Sequence, residues 1–218
     1  MSSRYYEVYA GWKSDPEAFW AEAAKAIDWF TPPERIFDAE QGVYGRWFAD
    51  ATCNTCFNVL DRHVDGARAD QTALIYDSPI TGAKKSFTYA QLRDEVVALA
   101  AVLREQGVAK GDRVIIYMPM VPEAVFAMLA CARLGAVHSV VFGGFAAKEL
   151  ATRIDDAQPK LIVSASCGVS SPAASLPTSR CSTAPSPWPS TKLNIAWCCS
   201  ASSSPAISCL TAISTWPK

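Results

Sequence analysis

Between Ala73 and Ser164 the apolar residues alternate between a two-residue and a helical period, and the changes fall at glycines and prolines. Ala73 to Tyr76 and Ser86 to Tyr89 are short β-type runs either side of a Ser-Pro-Ile-Thr-Gly turn, which predicts a hairpin. Thr88-Tyr-Ala-Gln91 has the form of a capping box, a hydroxyl and an amide three residues apart that satisfy each other's free backbone donors. Leu92, Val96, Leu99 and Leu103 follow at helical spacing, and Gly107 suits the left-handed residue that ends a helix. Gly111-Asp112 turns the chain into Arg113-Val-Ile-Ile-Tyr117, a strand buried on both faces. Pro122 opens a helix that ends at Gly135, Val137 to Phe142 is the next strand, a helix runs from about Ala147 to Asp156, and Lys160 to Ser164 is a last strand. Strands alternating with helices imply an α/β fold with a mostly parallel sheet covered by helices. Lys160 to Ser164 is then expected as an exposed edge, and the chain is expected to be prone to aggregation through it.

The first part of the chain reads differently. Ser14-Asp-Pro-Glu17 marks a helix start, with Ser14 as cap, Pro16 in the first turn and Glu17 completing a capping box. Phe19, Trp20, Ala23, Ala24 and Ile27 share one helical face, and Pro32-Pro33 closes the element. A looser stretch follows, in which Tyr44, Trp47 and Phe48 are expected to pack onto the main body, and Asn54 to Val64 reads as a second helix.

Composition changes the picture at Val169. From Ser170 to Lys218 there is no Asp, Glu or Gly, yet that tail holds half of the 14 prolines and four of the eight cysteines. A folded domain of ordinary composition is about a quarter charged; the tail's only charges are Arg180, Lys192 and Lys218. Because all three are basic, the net −1 of the whole chain leaves −4 for residues 1–169. No basic patch with interleaved aromatics appears, which argues against nucleic acid as a partner. No apolar run reaches the roughly 18 residues of a membrane span, and the first residues lack a signal peptide's apolar core. Cys131 and Cys167, in apolar runs, read as reduced buried thiols of a cytoplasmic protein.

Few residues offer chemistry. Cys53-Asn-Thr-Cys56 lacks the second pair a zinc site needs and reads as two half-buried residues on a helix. His138 alternates into an apolar strand as a core histidine, and His63 sits on a helix surface among charged neighbours. Thr81-Gly-Ala-Lys-Lys-Ser86 lacks the spacing of a phosphate loop and lies in a turn between strands. Gly143-Gly144 is the better candidate. It follows a strand and precedes a helix, where α/β sheets bind ligands, and glycine lets the backbone approach one closely. A tight strand-to-helix turn accounts for the pair equally well.

Several runs in order, among them Trp29-Phe-Thr-Pro-Pro33, Leu60-Asp-Arg-His63, Lys110-Gly-Asp-Arg-Val114, Ile116-Tyr-Met-Pro-Met120, Ala127-Met-Leu-Ala-Cys-Ala-Arg133 and His138-Ser-Val-Val-Phe-Gly-Gly-Phe145, resemble the AMP-forming acyl-CoA synthetases of the acetyl/propionyl type. Ser164-Ala-Ser-Cys-Gly-Val169 looks closer to the propionyl branch. The resemblance implies a helical N-terminal cap over residues 1–62, part of an adenylate-forming domain over residues 63–169, and an irregular or disordered tail over residues 170–218. It also implies a reaction in which a short-chain carboxylate and ATP, with Mg²⁺, give an acyl-adenylate that coenzyme A intercepts. Gly143 and Gly144 would line the coenzyme A site, although neither ATP, Mg²⁺ nor coenzyme A is expected to bind tightly to this fragment. No catalytic or metal-binding residue is carried over. The family's triphosphate loop ends in Pro-Lys-Gly, and no such run occurs here. The acyl pocket, the Mg²⁺ carboxylate, the ribose-binding acid and the C-terminal domain with its lysine are missing too. This polypeptide is therefore expected to be inactive alone.

The genetic code accounts for the tail. Reading Ala196-Trp-Cys-Cys-Ser-Ala201 one nucleotide early permits (Leu/Met/Val)-Val-Leu-Gln-Arg, and the same shift over Ser171 to Thr183 permits Glu-Pro-Gly-Arg-Val-Val-Ala-Tyr-Lys-Pro-Leu-Leu-Asp. Both strings are what the family would show after Ser-Cys-Gly-Val, including an arginine expected to meet a coenzyme A phosphate. These readings predict a frameshift at about Val169–Ser170. Two further readings stand beside a truncated synthetase: a non-catalytic interaction module related to the family, and an unrelated α/β nucleotide binder. Nothing in the sequence assigns an oligomeric state.

Overall fold

The computed structural model describes residues 4–79, 81–142, 147–165, 167–171, 174–177, 194–198 and 212–213. The chain divides into two compact units, Met1–Val59 and Leu60–Lys218.

The first unit opens on α1 (Tyr5–Ser14) and α2 (Pro16–Ala24). No residue of α1 is buried; Tyr5 and Tyr9, one helical turn apart, stack with ring centroids 5.8 Å apart. The cap of α2 differs from the sequence expectation. Ser14 is still helical and its hydroxyl donates back to the Gly11 carbonyl at 2.9 Å. The cap is Asp15, whose carboxylate accepts from the Ala18 N–H at 2.9 Å. Short strands β1 (Phe37–Asp38) and β2 (Arg46–Trp47) pair antiparallel. Trp47 lies 4.6 Å from the Phe37 ring, and Phe48 lies 5.5 Å from Trp29. Tyr44, expected to pack, is 92% exposed, because it sits in the connection between β1 and β2.

Asn54 to Val64 was expected as one helix. The structure gives a helical start, a π-helical stretch over Phe57–Asp61 and then α3 (Arg62–Val64). Asn58 holds Asp28 from both sides: its Oδ1 accepts the Asp28 N–H at 2.8 Å and its Nδ2 donates to the Asp28 carbonyl at 3.0 Å.

In the second unit, β3 (Thr72–Asp77) and β4 (Lys84–Thr88) form the expected hairpin. Thr88 then caps α4 (Tyr89–Glu105) with the full capping box: Thr88 Oγ1 accepts from Gln91 N at 3.2 Å, and Gln91 Oε1 accepts from Thr88 N at 2.9 Å. Leu92, Val96, Ala100 and Leu103 are its buried stripe. β5 (Arg113–Met118), α5 (Pro122–Leu134), β6 (Val137–Phe142), α6 (Ala147–Ala157) and β7 (Leu161–Ala165) follow within a residue or so of the sequence expectation. α5 ends on Gly135 in the left-handed conformation, φ 71°.

β5 pairs parallel with both β6 and β7. Beyond β7 the sheet continues through β10 (Asn194–Cys198), parallel to β7, and β11 (Ala212–Ile213), antiparallel to β10; β8 (Cys167–Ser171) and β9 (Ala174–Pro177) pair separately. This corrects one expectation: β7 is not an edge, because β10 takes its outer row of backbone donors and acceptors. Among the described strands the order is β11-β10-β7-β5-β6, which leaves β6 as an edge. His138 accordingly is exposed on β6 instead of lying in a core.

Candidate functional site at the carboxyl edge of the sheet

The central strand explains where a ligand can sit. From Val114 to Met118 β5 is buried without a break, so both faces are covered. Ile115 and Tyr117 join Val141 of β6, Ile162 of β7 and Leu150 and Ile154 of α6 in one buried cluster. The alternate residues Val114, Ile116 and Met118 are also buried, as are Phe126, Ala127, Ala130 and Cys131 of α5. The chain leaves β5 for β6 on one side and returns past it to β7 on the other. At such a switch point the loops leaving the strands part, and a crevice opens beyond their carboxyl ends.

Around that rim the described side chains are mostly apolar. Met120, just after β5, is 80% exposed, and Phe142, the last residue of β6, is 53% exposed. Ser164, near the end of β7, is the buried polar residue, with its hydroxyl 3.3 Å from the Ala165 carbonyl. Gly143 and Gly144 lie outside the described residues; the flanking Phe142 and Ala147 end β6 and begin α6.

The opposite, amino end of the sheet is bound by directional contacts. Arg113 donates from Nε to the Ala157 carbonyl and from its terminal nitrogen to the Gln158 carbonyl, both at 3.0 Å. Asp112 accepts from Lys160 Nζ at 2.9 Å and from the Ala109 N–H at 2.8 Å. The lysine contact first, then the backbone N–H, holds the Asp112 carboxyl below the ordinary carboxylate range. Gly111 N donates to the Gly135 carbonyl at 2.9 Å, and Val137 N to the Asp112 carbonyl at 2.8 Å. The Lys-Gly-Asp-Arg-Val run is thus a structural clasp. On α5, Arg133 reaches both carboxylate oxygens of Asp61 at 2.7 Å, which pins the helical segment before β3. The side-chain contacts of Arg113, Lys160 and Arg133 leave no local period in the sequence, since their partners lie 44 to 72 residues away.

The other chemical candidates resolve as structure. Cys53 is exposed and precedes the helix, whereas Cys56 is fully buried within it; the two are not disulfide-bonded. Burial pushes the Cys131 thiol up to about 11, so it is inert near neutrality. The Cys167 side chain lies outside the described residues. His63 is half-buried with its ring 5.0 Å from Tyr89. In the first unit, a depression of about 500 Å³ is lined by Glu34, Arg35, Asp38, Gln41, Ala49 and Asp50. Asp50 there accepts from the N–H groups of Glu34 and Arg35 at 2.9 and 3.2 Å, chiefly the first of which holds its carboxyl low. That acid ties a loop. Among the described residues no group of three or more His, Cys, Asp or Glu could hold a metal ion, and no helix is long and apolar enough to cross a membrane.

Comparison with known proteins agrees with this architecture. The family model described as AMP-binding enzyme matches residues 60–195, and the model for the acetyl-coenzyme A synthetase N-terminus matches residues 5–59. The two matches meet where the two compact units divide. The chain is 47% identical over 167 residues to the human mitochondrial acyl-CoA synthetase short-chain family member 3, covering 77% of this chain and 24% of that protein. It is 47% identical over 170 residues to an acetyl-coenzyme A synthetase of Bradyrhizobium, covering 77% and 26%. The fold resembles acetoacetyl-CoA synthetase from Streptomyces lividans with a TM-score of 0.65 and 32% identity, over 72% of this chain and 24% of that one. The chain thus spans about a quarter of the length of the relatives it matches. With its cap and its switch-point sheet each matched in turn, the chain belongs to the AMP-binding enzyme family, in the branch of the acetyl- and propionyl-type CoA synthetases.

Proposed function

We propose that this chain is part of an AMP-forming short-chain acyl-CoA synthetase, acting on propionate or acetate in the cytoplasm, and that these 218 residues alone do not turn over. The observation that carries the reading is the pair of consecutive family matches spanning residues 5–195. In the complete reaction an acid, ATP and coenzyme A would give acyl-CoA, AMP and pyrophosphate.

Coenzyme A is the ligand for which this chain retains features. Residues 143–146 connect the carboxyl end of β6 to the start of α6. Free N–H groups at a helix start favour a phosphate, and glycines at 143 and 144 would admit the ligand close to the backbone. Gly143 and Gly144 are therefore assigned to the coenzyme A site. For Mg²⁺ and ATP the fit fails. No described group of side chains suits the ion, and no Pro-Lys-Gly run is present to hold a triphosphate. Adenylation depends on fixed donors and cations that stabilise developing charge, so it is assigned to family segments that this sequence does not contain.

The departure in composition after Val169, together with the alternate-frame strings, supports a one-nucleotide frameshift near Ser170. Sequencing the locus tests it: the account expects the family's continuation in the neighbouring frame, and an alternate frame without that continuation rejects it. For activity, the purified chain is incubated with propionate or acetate, ATP, Mg²⁺ and coenzyme A. Acyl-CoA at the level of the protein-free blank is expected; robust ATP-dependent formation would overturn the proposal.

A further inference from the structure

We infer that Arg113 is a positioning residue for α6, and through α6 for the carboxyl edge of the sheet. The link to coenzyme A rests on the functional reading above; the mechanical part does not.

Helix α6 is held to the sheet by Leu150 and Ile154 against Ile115, Tyr117, Val141 and Ile162. Apolar contact is non-directional. It fixes which face of the helix meets the sheet but constrains poorly where the helix sits along its own axis. The directional contacts are at its far end. The helix stops at Ala157, and Gln158 takes φ 45°, in the left-handed region where glycine is the usual occupant. Gln158 N closes the last turn on the Ile154 carbonyl at 2.8 Å. The Arg113 guanidinium spans the two carbonyls on either side of this turn, those of Ala157 and Gln158. The Arg113 carbonyl accepts the Lys160 N–H at 2.8 Å, and neighbouring Asp112 takes Lys160 Nζ.

One end of the central strand thus grips residues 157–160 by its backbone and by two side chains. A cation at a helix C-terminus is favourable for the dipole, but the planar fork adds direction that a point charge does not. Hydrogen-bonded helices are stiff, and α6 rises about 15 Å from its first residue to its last. Fixing its end therefore fixes its start. Arg113 touches no ligand in this account; it sets the axial position of the helix that begins beside the rim.

Hydrogen exchange followed by mass spectrometry on the full 218-residue chain tests this, comparing wild type with Arg113→Lys, Arg113→Met and Arg113→Met/Gln158→Gly. Arg113→Met loses two hydrogen bonds from a charged donor, so exchange of amides 151–155 should rise about tenfold or more; Arg113→Lys keeps a charged donor but loses the planar fork, so its exchange should rise by a smaller but measurable factor. Amides 126–131 of α5 should be unchanged. Glycine accepts the left-handed turn without the clasp, so the double variant should recover most of the protection. Three results would overturn the inference: wild-type protection in Arg113→Lys, since charge alone would then suffice; loosening confined to residues 156–160; or equal loosening of α5. Calorimetric titration of wild type with coenzyme A judges the functional reading separately. Only weak binding is expected without the arginine of the shifted frame, so absence of binding up to millimolar coenzyme A rejects the coenzyme A site and leaves the exchange pattern to decide on Arg113.

Discussion

Asp112 shows how a residue near the surface ties the sheet together. Its carboxylate takes Lys160 Nζ and the Ala109 N–H, and both favour the charged form. The folded-state pKa is therefore below the ordinary 3.8, and the unfolded chain binds the proton more readily. By linkage the contribution is present above that ordinary value and is lost as the pH falls through the folded one. Asp38, held low first by the Glu40 N–H, and Asp50, held low first by the Glu34 N–H, act in the same direction. An Asp112→Asn variant is expected to be less stable than wild type at pH 7, with the gap closing below pH 3.8. Urea midpoints measured across that range check it; a gap that stays constant into acid contradicts the assignment.

At the scale of elements, most of the second unit was legible because its signals are local. The Thr88–Gln91 capping box, the Pro122 start, the Gly135 stop and the all-apolar β5 each act within a few residues. What was not legible depends on partners far along the chain. Lys160 to Ser164 has no local feature that says whether another strand will lie beside it, and β10 does. His138 looked like a core residue because the strand around it is apolar, yet β6 is an edge among the described strands and the residue is exposed. The same blindness hid the Arg113 clasp. At the candidate site the strand-to-helix junction was readable, whereas the strand order that makes it a switch point was not. The edge has a consequence. β6 carries no Lys, Arg, Asp, Glu or Pro, and Val140 is 51% exposed on it. Uncharged edges invite pairing with another chain. A Val140→Lys variant is expected to lower the self-association seen by light scattering as the protein is concentrated. Unchanged scattering would show that β6 is not the sticky edge.

At the scale of the molecule, two compact units correspond to two consecutive family matches, and together they amount to about a quarter of the length of the relatives. The second unit supplies a switch-point sheet and a clasped amino end, and the coenzyme A site proposed above lies at the opposite, carboxyl rim. Family and activity are therefore separate matters: the chain belongs to the AMP-binding enzyme family, and the proposed frameshift puts the groups for turnover in the neighbouring reading frame. The most direct test is AMP formation by the product of a gene in which one nucleotide near the Val169–Ser170 junction restores that frame. The account predicts AMP release that requires a short-chain acid, ATP and coenzyme A together, and none from the 218-residue chain assayed beside it. AMP release by the 218-residue chain, or an inactive restored product that folds, would contradict it.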